Sequence, residues 1–269
     1  MAEPISAPVA APPPNPRGGR TLVVDGADAA CYARPSLAVK EAGPDDQIFV
    51  RPGMYEDTVF FAGRPARLIG AGRDHVTIFC RRRGPFYLQQ VPEGLISGIT
   101  FRYVGSDQHS AMNVLDSVCT ITGCRVTEGV LSGAVIYGPE SRPTFVDNEV
   151  CRNRETGVFI FARARPYVAR NDCHDNHHFG IAVRDDETHP DLVRNVCRGN
   201  MLSGILLFQY AEALVAENDC HDNHDWGVVI TPDCKTTPPV GELATINQLA
   251  RNPLGAVHVT DQPLGPIGR

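Results

Sequence analysis

The sequence predicts an all-β chain folded as a right-handed parallel β-helix with coils of 23–24 residues, on three observations. Gly133, Gly157, Gly180, Gly204 and Gly227 recur at intervals of 24, 23, 24 and 23 residues, each heading an apolar run: GAVIY, GVFIF, GIAVR, GILLF and GVVIT. Asparagines stand nine and four residues before the last four glycines, at Asn148, Asn171, Asn195 and Asn218 and at Asn153, Asn176, Asn200 and Asn223. A third apolar stretch precedes the first asparagine and opens with proline in three copies, at Pro143, Pro166 and Pro190. A period of 20–50 residues marks stacked units that bury their apolar faces against their neighbours.

Three strands of about 4–6 residues, each followed by a turn, fill such a repeat and leave no room for a helix. Apolar residues at spacings of three and four, which a helical repeat needs, are missing from these runs. Asparagine and glycine tolerate left-handed backbone and are expected at the turns. Like residues of successive coils should then stack about 4.8 Å apart.

From the N-terminus, residues 1–20 are rich in proline and alanine and are expected to form a disordered leader, and residues 21–269 a single domain. The opening stretch has neither a basic nor an apolar signal region, so no signal peptide and no membrane anchor are expected. SLAVKEA, residues 36–42, reads as a short amphipathic helix ended by Gly43-Pro44, and a helix there would cap the open end of the stack. Regular coils are expected over 110–231. Residues 232–269 should hold an irregular last coil and a tail, with Asn247, Asn252 and Gly255 repeating the pattern after an insertion.

Net charge of −6 and a pI near 5.8 give no electrostatic footprint for nucleic acid, which is not expected as a partner. Cys173, Cys197 and Cys220 share one place in successive coils, where other copies carry Val126, Val150 and Leu249, so they are expected to pack inward. Nine cysteines, an odd number, point to a reducing, cytoplasmic compartment.

Residues 35–80, including SLAVKEAGPDDQIFVRPGMYEDTVFF and ARLIGAGRDHVTIFC, look like the opening coil of pectin-lyase-like β-helix proteins. Residues 141–231 resemble the β-helix repeats of the substrate-binding domain of F-box-only ubiquitin-ligase adaptors, with their N-x-[IVC]-x-x-N-x-x-x-G rhythm. These resemblances imply the fold, and they leave lyases, esterases, epimerases and non-catalytic binders all open.

Catalytic signatures are thin. Gly53-Met54-Tyr55-Glu56 matches the G-x-Y-x-E of pectin methylesterases, whose other motifs are missing, and is expected to be a glycine and a packed tyrosine. Asp185-Asp186 is a carboxylate pair of the kind a polygalacturonase uses, without that family's other elements. Asp172-Cys173-His174-Asp175 and Asp219-Cys220-His221-Asp222 faintly resemble the D-P-H-D of alginate epimerases and lyases, in which a histidine moves protons. The two histidine sets should lie roughly 10 Å apart, too far for one zinc, on what is expected to be a solvated corner. No metal and no cofactor are expected.

In the strand after each glycine the first and third residues should point inward and the second and fourth outward. The outward set comprises Val135, Tyr137, Phe159, Phe161, Ala182, Arg184, Leu206, Phe208, Val229 and Thr231. An exposed apolar stripe of that composition suits a binding face. The expected function is therefore a non-catalytic scaffold that binds a protein partner, or a second copy of the chain, through Val135, Tyr137, Phe159, Phe161, Arg184, Leu206, Phe208 and Val229. The alternative is a carbohydrate-active lyase or epimerase acting on a polysaccharide through His174, Asp175, His221 and Asp222. Short coils leave the longer segments 104–110 and 232–243 as the other places for a site.

Overall fold

The computed structural model describes residues 11–260 and is the expected parallel β-helix. Among those residues the strands form three parallel sheets of ten, eight and nine strands. One coil shows the pattern. Thr144–Val146 belongs to the first sheet, Glu149–Cys151 to the second and Val158–Phe161 to the third, and Tyr167–Ala169 then returns to the first beside Thr144–Val146. No helix among the described residues is long and apolar enough to cross a membrane.

Strand alternation sends one side chain per strand, or two in the third sheet, into a core of stacked columns. Ile121, Phe145, Val168, Leu192 and Val215 line the first sheet, and Val126, Val150, Cys173, Cys197 and Cys220 the second. Val158 and Ile160, with their counterparts Ile181 and Val183, Ile205 and Leu207, and Val228 and Ile230, line the third. Each fully buried valine, leucine or isoleucine contributes roughly 1.5–3 kcal/mol. The three stacked cysteines are free and fully buried, as inward hydrophobes should be, and the Cys197 thiol is pushed up by its neighbours Cys173 and Cys220 and by burial.

The asparagines do something that their spacing does not reveal. Their side chains point inward and form two buried hydrogen-bonded ladders. The first rungs, Asn148 and Asn153, accept from the Cys124 and Gly129 backbone N–H groups, and each later Oδ1 accepts both the backbone N–H and the side-chain amide of the asparagine one coil earlier. Asn176 donates to Asn200 Oδ1 at 3.1 and 3.0 Å, and Asn200 to Asn223 Oδ1 at 3.1 and 2.8 Å. The other ladder runs through Asn148, Asn171, Asn195, Asn218 and Asn247.

The left-handed residues at these turns precede the asparagines: Asp147, Arg170, Arg194 and Glu217 in one row, and Arg152, Asp175, Gly199 and Asp222 in the other. The repeated glycines are not left-handed either. Their lack of a Cβ is needed for close approach, since a Cβ on Gly157 would lie 2.5 Å from the Gly180 carbonyl oxygen.

The capping helix occupies Pro35–Glu41, one residue earlier than expected, with proline in its first turn and Pro35, Ala38 and Val39 buried. The core opens at Thr21–Val24. Residues 11–20 of the stretch expected to be a disordered leader are held against the core edge. The Gln47 amide donates to Pro13 O at 2.6 Å, and Arg17 pairs with Glu93 at 2.6 Å; residues 1–10 lie outside the described residues. At the far end the insertion supplies the strand Lys235–Thr237 and the helix Leu243–Ile246, whose Leu243 is fully buried. Residues 261–269 of the expected tail also lie outside the described residues.

Asp46 locks the start of the core to the end of the capping helix. Its carboxylate accepts from the Arg20 and Gly43 backbone N–H groups at 2.8 and 2.9 Å and from the Arg20 guanidinium at 2.6 Å. These bonds hold its pKa down at about 2, the Arg20 side chain contributing most. A depressed carboxyl pKa stabilises the fold above the unfolded value of about 3.9, and that stabilisation is lost as pH falls through about 2. Asp46→Asn should therefore melt below the parent protein at pH 7, and the two melting curves should converge between pH 4 and pH 2.

Candidate functional site

The outer face of the third sheet carries two columns of side chains. One runs Phe60, Tyr87, Asn113, Val135, Phe159, Ala182, Leu206, Val229, His258, each in register with the next. The other contains Tyr137 beside Phe161, and Arg184 beside Phe208. Their outward direction follows from the buried first and third residues of each strand, as the sequence implied.

The stripe is not open along its length. Ala182, Leu206, Phe208 and Val229 are buried and form, with Phe179, a second apolar cluster against which Leu202, Trp226 and Phe159 pack. The physical reason lies next to the repeated glycines, where Phe179, Leu202 and Trp226 contribute large side chains to that cluster. Besides Thr231 at its end, only Val135, Tyr137, Phe159, Phe161 and Arg184 of the expected stripe remain half-exposed.

Those five residues line a groove. Tyr137 and Phe161 stack with ring centroids 5.3 Å apart, Phe159 and Phe161 lie 5.0 Å apart, and the Arg184 guanidinium sits 5.1 and 4.9 Å from the Phe159 and Phe161 centroids. Arg184 Nε is buried and makes no hydrogen bond among the described residues, its nearest acid being Asp185 at 3.6 Å. Glu155 closes one side of this concavity of about 360 Å³, and burial raises its carboxyl pKa.

A second concavity of about 630 Å³ adjoins the first along the same face, since Tyr87 pairs directly with Asn113. Phe60 and Tyr87, edge to face at 6.2 Å, form its floor, and Arg82, Arg83 and His109 its wall. The early coils are longer, and the extra residues of one of them bring His109 to the wall. Phe86 lies on Val59, 27 residues back, and Met112 on Phe86, 26 residues back. In the coil that ends at Met112 the surplus falls in the turn 104–111 between the second and third sheets, whereas in the coil that ends at Phe86 it falls in 71–75 between the first and second. Segment 104–110, notable in the sequence for its length, does reach the groove through His109. Phe60, Tyr87, Arg82 and Arg83 escape the sequence pattern because the glycine rhythm that marks outward positions is absent from those coils.

His174, Asp175, His221 and Asp222 lie elsewhere, on and beside the outer face of the second sheet. His174 and His221 are separated by Arg198 in the intervening coil. His174 Nδ1 meets Asp175 Oδ2 at 2.8 Å, and a hydrogen bond with Cys151 and this aspartate raise its pKa to about 9 against the opposing effect of burial. His221 Nδ1 meets Asp222 Oδ2 at 2.7 Å. Asp222 is held well below the usual carboxylate range by the Arg251 guanidinium and by His221. The two histidines therefore do not share a catalytic pocket with each other or with the groove.

Of the other motifs, Tyr55 is packed in the core and donates to Arg51 O at 2.9 Å, while Asp185 caps a turn by accepting from the Ala162 N–H at 3.1 Å.

Among solved structures the chain is similar to pectate lyase Pel9A, with a TM-score of 0.52 at 11% identity over 92% of this chain and 80% of that one. It is also similar to ORF18 of Geobacillus virus E2, with a TM-score of 0.48 at 12% identity over 71% of this chain and 49% of the other. A periplasmic alginate epimerase, AlgG, gives a TM-score of 0.39 at 12% identity over 81% of this chain and 68% of that one. At these identities the likeness concerns the fold. A search of curated proteins finds no match. The likeness of the repeats to F-box adaptors rests on their rhythm alone. The family of right-handed beta helix regions matches residues 87–238, more than half of the chain and nearly all of its regular coils, and the chain belongs to that family.

Proposed function

We propose that the chain binds an extended, anionic saccharide along the outer face of the third sheet. The observation that carries this reading is the alignment of Phe60, Tyr87, Tyr137, Phe159 and Phe161 along one groove whose charged lining is mainly cationic. Aromatic faces take up the apolar faces of sugar rings, and guanidinium groups pair bidentately with carboxylates. Arg82 and Arg83 make no ion pair among the described residues, so the groove presents free positive charge on a chain whose net charge is −6. A cleft of one sign raises the local concentration of the opposite ion. The pectate lyase of similar fold is by name an enzyme of an acidic polysaccharide, which is compatible with this reading.

The groove supports binding more directly than turnover. Among the described residues lining it Glu155 is the one carboxylate, whereas glycoside hydrolysis needs two flanking the bond. A second reading keeps the protein partner, or a second copy of the chain, on Tyr137, Phe159 and Phe161, because half-buried rings beneath an arginine also make an interface anchor.

Calorimetric titration of the purified chain with galacturonate and neutral gluco-oligosaccharides tests both. Uronate should bind preferentially, and Tyr137→Ala with Phe159→Ala should weaken it about tenfold or more, equivalent to roughly 1.4 kcal/mol. A folded protein that binds neither saccharide, and whose sedimentation shows a dimer lost in the same variant, would favour the second reading and end the first.

A further inference from the structure

We propose that Glu149, Cys151 and His174 form a binding site for a divalent metal of zinc-like softness on the outer face of the second sheet. Glu149 and Cys151 are the outward residues of one strand, and His174 sits in register with Cys151 in the next coil. One donor atom from each of the three lies within 4.8 Å of the other two. Glu149 Oε1 is 3.5 Å from His174 Nε2 and 3.7 Å from Cys151 Sγ. A tetrahedral ion with bonds of about 2.3 Å to sulfur and about 2.0–2.2 Å to nitrogen and oxygen requires donor separations of about 3.4 and 3.6 Å for these two pairs. Two of the three donor pairs therefore stand close to metal geometry, and the third lies within 4.8 Å.

The surroundings are those of a ligand set. Asp175 Oδ2 holds His174 Nδ1 at 2.8 Å, which turns Nε2 toward Glu149, the carboxylate–histidine arrangement that orients imidazole ligands. Arg125 engages the other glutamate oxygen, Oε2, at 2.8 Å, leaving Oε1 to the cluster. Cys151 is fully buried, and the Glu149 and His174 side chains are only 17 and 12% exposed, so the donors converge in a partly desolvated pocket. Asp172, in register with Glu149, has a buried Oδ1 with no hydrogen-bond partner among the described residues. A water in the fourth metal position would offer it a donor.

Among the described residues this donor set occurs once in the stack. The positions of Cys151 and His174 are filled by Thr127, Arg198 and His221 in neighbouring coils, so His221 faces an arginine where His174 faces a thiol. Three ligands with mixed sulfur, nitrogen and oxygen donors suit zinc, whereas magnesium and calcium prefer oxygen alone. On binding, the Cys151 thiol and a protonated His174 Nε2 each give a proton to solvent, and the thiolate and the freed imidazole nitrogen enter the metal's coordination shell.

The full chain, stripped with chelator, should bind one cobalt(II) per molecule, with the visible bands of a tetrahedral centre and a near-ultraviolet thiolate band. Zinc should displace it. Cys151→Ser should abolish the near-ultraviolet band, Glu149→Gln should weaken binding at least tenfold, and Asp175→Asn should weaken it by about 10–100-fold. His221→Ala should bind as the parent does. The proposal falls if the parent binds no cobalt, or if the thiolate band survives in folded Cys151→Ser and so belongs to another of the nine cysteines. If Cys151→Ser does not fold, undiminished cobalt affinity in Glu149→Gln overturns it equally. Neither result bears on saccharide binding, which is read on a different sheet.

Discussion

Gly157→Ala should destabilise the chain by about 3 kcal/mol or more, the upper end of what overpacking costs. The added methyl would stand 2.5 Å from the Gly180 carbonyl oxygen and 2.9 Å from the Asn176 side-chain nitrogen. The first obstacle is backbone in the neighbouring coil. The second is a buried amide held by Val150 O and Asn200 Oδ1. Neither swings away as the end of a flexible side chain would, so relief requires the coils to part and the parallel ladder between Val158–Phe161 and Ile181–Arg184 to stretch. Gly123→Ala is the control. Gly123 is left-handed, and a methyl added to it would meet no atom within 4 Å, so alanine there bears only the conformational cost of about 1–2 kcal/mol. Equilibrium denaturation of the two variants should show the larger loss at the position with the ordinary φ. Equal losses would mean that close approach is not what keeps glycine at residue 157.

Asn200→Leu should cost at least as much, through lost hydrogen bonds. Asn200 Oδ1 accepts from the Asn176 backbone and side chain, and its amide donates to Cys173 O at 3.1 Å and Asn223 Oδ1 at 2.8 Å. Leucine matches the volume but removes four buried hydrogen bonds. The Asn176 amide keeps Val150 O and Asn223 Oδ1 keeps the backbone N–H of residue 200, while the Asn176 N–H and Cys173 O lose this partner, each group left unpaired costing about 1–3 kcal/mol. Relaxation recovers part of that, leaving a loss on the order of 4 kcal/mol. Asn200→Asp separates the two halves of the ladder. It keeps the acceptor for Asn176 but sets a carboxylate against two oxygens, so it should be destabilised at neutral pH and partly rescued in acid, where a protonated carboxyl can donate once. A leucine variant as stable as the parent would show the ladder to be a by-product of coil stacking.

Both experiments concern residues whose importance is plain from their spacing and whose reason is not. Asparagine and glycine at fixed intervals read as turn residues, because that is their commonest use in isolated loops. In the stack the left-handed conformation falls on the preceding residue, which is aspartate, glutamate, arginine or glycine in different copies. The asparagine is instead selected by the coils above and below it, and the glycine by the adjacent carbonyl. These are contacts between residues 23 or 24 apart, invisible to any local propensity.

The site divides in the same way. Alternation after each glycine correctly places Tyr137, Phe159, Phe161 and Arg184 on an outer face, since that depends only on the pleat. It also counts Leu206, Phe208 and Val229 as open. They are covered by side chains such as Phe179 and Trp226, whose reach depends on how a turn is oriented. The groove's other half, around Phe60, Tyr87, Arg82 and His109, lies in coils without the glycine rhythm, and the long turn 104–111 that brings His109 to it has no period to betray it. His174 stands out in the sequence with Asp175, its chain neighbour, but its more consequential neighbours are Glu149 and Cys151 one coil earlier.

What the amino-acid sequence determined by itself is the period, and with it the parallel β-helix, the inward columns and the capping helix, because each follows from short-range alternation repeated at constant length. What only the tertiary structure decided is which outward residues meet and which are covered. Stacking at about 4.8 Å sets residues of different coils side by side, and that juxtaposition is written in the register between strands.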